Sequence, residues 1–217
     1  IPHSRYYGTV DATPLYLILL SETHRWTGDV DLLRQLMPVA ELALRWIDQY
    51  GDIDGDGFVE YERRSPHGLV NQGWKDSTDS ICFSDGRLAE GPIALVEAQG
   101  YVYDAKIRLA ELCRQLGLPA KAQELQQEAE VLKKRFDQAF WMPEAGYYAV
   151  ALDGMKRQVD SITSNPGHCL WTGIVPEERA RLVAARLMAD DMFSGWGIRT
   201  LSSSMAKYNP VSYHNGS

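Results

Sequence analysis

The segment IALVEAQGYVYDAKIRLAELCRQLGLPAKAQELQQEAEVLKKRFDQAF, Ile93 to Phe140, reads as two helices with almost nothing between them. In its second half Ala122, Leu125, Ala129, Leu132 and Phe136 recur at three- and four-residue steps, which brings them onto one face of a helix. Gly117 closes the first helix, Ile93 to Leu116, because glycine adopts the left-handed conformation that ends helices without penalty. Pro119 opens the second, where a missing backbone N–H removes no intrahelical bond. With so short a link the two helices must fold back on each other.

The same grammar appears on either side. Asp11 to Trp26 carries Leu15, Leu19 and Leu20, has Pro14 in its first turn and stops at Gly28. Asp29 then caps a run in which Leu32, Leu33, Leu36, Val39, Ala40, Ala43, Trp46, Ile47 and Tyr50 form one apolar stripe. Downstream, GYYAVALDGMKRQ, Gly146 to Gln158, alternates around an Asp-Gly turn and is expected to be a small β-hairpin. A third helical pair follows, Asn165 to Thr172 and Pro176 to Ala189, with Glu177 and Glu178 at the positive helix end. Between the first two pairs, Gly51 to Gly91 shows no periodicity. The fold class is therefore all-α, a stack of about three helical hairpins with long loops and a small β-hairpin. Such stacks gather their loops on one face, where binding residues sit.

Composition narrows the function. The chain of 217 residues is 45% hydrophobic, and its net charge of -7 comes from 22 basic and 29 acidic residues spread along the sequence. There is no basic face for nucleic acid and no polybasic patch for a membrane surface. The longest apolar run, PLYLILL at Pro14 to Leu20, is far short of the roughly 20 residues that span a bilayer. Cys82, Cys113 and Cys169 are odd in number with no C-x-x-C spacing, so they read as buried hydrophobes in a reducing compartment, and the cytoplasm is the expected location. Beginning at Ile1 and ending in YHNGS, the chain reads as a single fragment, residues 1–217.

Two loops carry chemistry. In GDIDGDGFVEYE, Gly51 to Glu62, Asp52, Asp54 and Asp56 alternate, Gly57 follows, and Val59 takes the apolar place, as in the first half of a calcium loop. The twelfth position is Arg63 instead of a bidentate Glu, so a bound Ca2+ would need a ligand from elsewhere, for instance Glu97. A turn built by Asp and Gly for backbone reasons is the other reading. In NQGWKDS, Asn71 to Ser77, a Trp stands beside a carboxylic acid. An indole face packs on the C–H face of a sugar and excludes water, and an apolar wall disfavours the charged carboxylate, so the acid keeps a proton it can donate. Lys75 opposes that trend if it points inward.

Read jointly and in order, YYGTVDATPLYLILL, DGDGFVEY, NQGWKDS, ALVEAQGYVYDA, SNPGHCLWTGIV, SGWGIRTLS and YNPVSYHNGS resemble the amylo-α-1,6-glucosidase, or glycogen-debranching-type, glycoside hydrolases of the six-hairpin toroid class. The resemblance implies an (α/α)6 barrel, of which this chain holds about half, an inverting mechanism, an α-glucosidic substrate such as an α-glucan or oligosaccharide, and no organic cofactor. It places the general acid at Asp76 and a wall of the sugar site at Trp74, with Lys75 beside them. Asp11 falls where related toroids hold sugar hydroxyls, and Trp196, Arg199, Tyr213 and His214 become further substrate-binding residues. A related glycosidase holds calcium in a loop of the DGDG type. Inversion needs a second carboxylate roughly 6.5–9.5 Å from the acid; the family's base is expected beyond Ser217, which would leave this fragment inactive alone. A catalytically silent carbohydrate-binding scaffold and an inverting phosphorylase of the same toroid class are the alternatives.

Overall fold

The computed structural model describes residues 8–216; Tyr6 and Tyr7 of the first motif and Ser217 of the last lie outside that range. Six α-helices dominate the described residues: α1 (Ala12–Thr27), α2 (Val30–Trp46), α3 (Val96–Gln115), α4 (Pro119–Phe140), α5 (Pro166–Thr172) and α6 (Glu177–Leu187). Gly28 ends α1 in the left-handed region at φ 67° and donates to His24 O, and the Asp29 side chain accepts from Leu32 N at 2.9 Å to start α2. A single π-helical turn, Ile47–Gly51, closes α2.

Helix α3 is the centre of the molecule, packed by α4, α1 and α5. Every residue from Val96 to Lys106 is buried, so this helix has no solvent face over its first three turns. Most of its polar atoms find partners there, Glu97 Oε2 excepted. Lys106 Nζ meets Asp48 at 2.8 Å and Glu128 at 2.9 Å. The Gln99 amide accepts from Val59 N at 2.9 Å and donates to Val59 O at 2.8 Å, clamping the irregular loop onto the helix. The three cysteines are free and buried, as small hydrophobes.

The strands are shorter and more numerous than one hairpin. β1 (Ala94–Leu95), which the sequence places inside the third helix, is extended because it pairs with β4 (Ala151–Leu152), and β4 pairs with β5 (Gln158–Val159) across the Asp153-Gly154 turn. Tyr147–Tyr148 (β3) instead turns back to Trp141–Met142 (β2). Among the described residues no helix is long and apolar enough to cross a membrane. Three helical pairs in this order, with loops between them, form part of an (α/α) toroid.

Close approach of α3 to α5 depends on Gly100: a Cβ there would meet Thr172 Oγ1 at 2.8 Å and Cys169 Sγ at 3.5 Å. Alanine would add about 1 kcal/mol of helix propensity, but overpacking a buried contact costs about 1–3 kcal/mol. Gly100→Ala is therefore expected to lower stability in urea denaturation, and a Thr172→Ala background to recover most of the loss.

Candidate active site

The Asn71–Ser80 loop is held by side chains far apart in sequence. Tyr61 donates its hydroxyl to Asn71 Oδ1 at 2.8 Å, while Asn71 Nδ2 donates to Ser77 O at 2.7 Å. The hydroxyl of Ser80 donates to Lys75 O, and Val10 N donates to Gln72 O at 2.7 Å, joining the start of α1 to the loop. At Gly73 a Cβ would fall 2.4 Å from Leu95 Cδ1, so any larger residue there would displace the buried Leu95 side chain. The chain end closes the other side: Gly216 N donates to Thr200 Oγ1 at 2.9 Å, and Asn215 Nδ2 to Asp79 O at 3.2 Å.

This frame brings together five of the eight catalytic and sugar-site candidates. Asp76 keeps a side chain 54% exposed, with Oδ1 3.9 Å from His214 Nδ1. His214 is buried, and Ser77 lies 2.7 Å from its Nδ1 through the hydroxyl and 3.3 Å through the backbone N–H. Burial lowers the His214 pKa, which favours the neutral imidazole that accepts from Ser77. Trp74 packs between two imidazoles, tilted against His168 and edge-to-face with His214, each at 5.8 Å. Thr9 donates its hydroxyl to Asp11 at the start of α1. Lys75 points inward: it is buried, and Nζ donates to Thr200 O at 2.5 Å.

Of the remaining three, Tyr213 borders this group through His214, and Trp196 and Arg199 are held by other turns. Trp196 is 99% exposed on the Ser194–Gly197 turn, and Arg199 donates to Asp190 O at 3.1 Å. Tyr213 is mostly exposed and stacks on His214 at 4.2 Å.

Three residues not singled out as sugar-site candidates stand behind Trp74. Glu97, expected as an extra calcium ligand, is fully buried and accepts from Asn165 Nδ2 at 2.9 Å. It does not join Asp52 and Asp54; Glu60 does. Burial pushes the Glu97 carboxyl up to about 7, while burial lowers Lys75 to about 8 despite the facing carboxylate. Glu97 is thus an acid whose proton is held by burial. His168, lowered by burial, shares a 2.7 Å hydrogen bond with the Tyr101 hydroxyl. Glu97, His168 and Asn165 lay inside the motifs ALVEAQGYVYDA and SNPGHCLWTGIV, which was the signal available.

Asp76 opens onto a cleft of about 1300 Å3, whose wall includes Thr9, Tyr61, Arg63, Arg64 and Gln72. Asp52 and Glu60 also reach this wall. The geometry offers an exposed carboxyl at a cleft, an indole in the same loop, and a buried polar layer beneath.

Known proteins supply the context. No curated protein matches this sequence. Among solved structures, a GH63 mannosylglycerate hydrolase from Thermus thermophilus in complex with Tris and D-glycerate superposes with a TM-score of 0.71 at 17% identity, over 99% of this chain and 63% of its own. The same enzyme in complex with glucose gives 0.69 at 19% identity, over 99% and 61%. An uncharacterized conserved protein from that organism gives 0.68 at 18%, over 100% and 62%. At such identities the likeness is one of fold, and this chain spans 61–63% of the length of these three structures. The family described as mannosylglycerate hydrolase MGH1-like glycoside hydrolase domain matches residues 8–217. What the debranching-type motifs and these matches have in common is the six-hairpin glycosidase toroid, and within it the chain belongs to the MGH1-like glycoside hydrolase domain family.

Proposed function

We propose that this chain carries the general acid of an inverting glycoside hydrolase, with Asp76 protonating the leaving glycosidic oxygen of an α-hexoside whose aglycone is small and acidic. The observation that carries the reading is the half-exposed Asp76 carboxyl at the cleft wall, with the Trp74 indole in the same loop. Asp11 and Trp74 hold the sugar. Glu97 is sealed from water and leaves the base role to another carboxylate.

An acidic aglycone is favoured over a 1,6-branched α-glucan by the cleft itself. Arg63 and Arg64 stand exposed in its wall, and neither makes an ion pair among the described residues. A guanidinium presents a planar fork that suits a carboxylate. The mannosylglycerate hydrolase of the same fold has been crystallised with D-glycerate, which has that chemistry.

The test is turnover by the full-length enzyme on a hexosylglycerate and on isomaltose, with the product anomer followed by NMR. Preferred cleavage of the hexosylglycerate with inversion is expected; preferred cleavage of isomaltose returns the debranching specificity, and retention of configuration removes the inverting mechanism. Replacing Arg63 and Arg64 together by Ala is expected to raise KM for the acidic substrate tenfold or more, since charged hydrogen bonds contribute about 1.5–3 kcal/mol, and to leave a neutral glycoside unaffected.

A further inference from the structure

The Asp52–Glu60 loop has a second chemistry, independent of the hydrolase reading. Asp52 uses both carboxylate oxygens on its own turn, accepting from Gly55 N at 2.7 Å and Gly57 N at 2.8 Å. Asp54 and Asp56 each take one backbone N–H, from Asp56 and Phe58, and keep the other oxygen free. Those free oxygens meet Lys156 Nζ at 2.8 and 2.7 Å, and Glu60 Oε1 is its third partner. The Glu60 side chain is 0% exposed, and its Oε2 has no hydrogen-bond partner. Carboxylate oxygens of Asp52, Asp54 and Glu60 all lie within 4.8 Å of one another.

We propose that Lys156 is the resident cation of this loop: its tethered ammonium stands among Asp54, Asp56 and Glu60 where a loop of this spelling otherwise takes a hard divalent ion, and it makes the loop independent of metal. Calcium asks for about 6–8 oxygens, commonly with a bidentate Glu at the twelfth place. Here that place is Arg63, and Asp52 is engaged by backbone. An ammonium has three N–H donors, and the loop supplies three carboxylates to receive them. The backbone conforms to this arrangement: Lys156 is the one non-glycine residue with positive φ among the described residues, at 60°, the left-handed region that a lysine does not favour. Its N–H closes the turn onto Asp153 O at 2.8 Å, so the β4–β5 hairpin delivers the charge. Since Asp52 and Glu60 reach the cleft wall, the ammonium also fixes one side of the cleft.

Removing the ammonium leaves converging carboxylates, one of them buried, which repel each other unless another cation arrives. The test is thermal melting of the full-length protein, Lys156→Met and Lys156→Arg, each in EDTA and in millimolar calcium, with calorimetric titration of calcium. Expected are a parent that melts at one temperature in both buffers and binds no calcium at this loop, a Lys156→Met protein that melts lower in EDTA and recovers with calcium, and a Lys156→Arg protein that behaves as the parent. A parent stabilised by calcium overturns the proposal, as does a Lys156→Met protein unchanged in EDTA or not rescued by calcium. Should Lys156→Met fold in neither buffer, the parent decides: calcium binding to it overturns the proposal, while no binding together with a parent-like Lys156→Arg supports it.

Discussion

Asp76→Asn in the full-length enzyme is expected to lower kcat by about 10²–10⁴-fold, the range that a positioned general acid contributes, with substrate binding retained. The amide has the shape of the acid, so contacts around Asp76 survive. Its side chain lies 54% exposed, and Lys75 and Ser80 fix the loop from behind, so the fold does not depend on its charge. What the amide lacks is a transferable proton. A glycosyl fluoride separates this role from a structural one, because fluoride departs with little need for protonation. The variant should therefore hydrolyse the fluoride at a rate close to the parent's while failing on an alkyl glycoside. Equal loss on both substrates would assign Asp76 to binding or architecture, and unchanged turnover of the alkyl glycoside would remove it from the reaction.

What could be read from the chain followed the range over which each feature is determined. Helices α2 and α4 have one buried stripe and one wet face, so local periodicity gave them away, and the boundaries of α4 agree with the Pro119 start and the Phe140 end. Helix α3 is buried all round from Val96 to Lys106, and a helix without a wet face has no amphipathic period to read. Its first two expected residues after Ile93 became β1 only because Ala151 and Leu152 lie alongside, a long-range pairing that two residues cannot announce. The site divides in the same way. Trp74, Lys75 and Asp76 are neighbours in sequence and were visible together. The burial of Glu97 beneath them, the approach of His168 and the inward turn of Lys75 toward Thr200 arise only when distant segments pack. The Asp-Gly loop shows both sides at once: its backbone turns were local and legible, while Lys156 arrived from a distant hairpin.

Lys75→Met and Glu97→Gln in the full-length protein should have non-additive effects on stability, because both groups are buried and each senses the other's charge. Both side chains are buried, Lys75 at 2% and Glu97 at 1% exposure. Burial disfavours the charged form of each, and each charge partly offsets the other's burial, so removing one raises the cost of charging the other, whereas removing both removes the cost of burying charge. Gln at position 97 can still accept from Asn165 Nδ2, which isolates the charge from the hydrogen bond. The pH dependence has a definite sign. Burial raises the Glu97 carboxyl from 4.5 to about 7, so between these values the folded state binds more protons and stability falls as pH rises. Lys75 is lowered from 10.5 to about 8, so between those values the unfolded state binds more protons and stability rises with pH. The pair should therefore impose a shallow minimum near neutral pH; Glu97→Gln should flatten its acid limb and Lys75→Met its alkaline limb. Single and double substitutions that add to within about 0.5 kcal/mol would mean that the two groups do not sense each other, and the buried layer beneath Trp74 would then be two separate polar contacts. Coupling would make it one electrostatic unit, so that any change in its protonation is transmitted directly to the loop that presents Asp76.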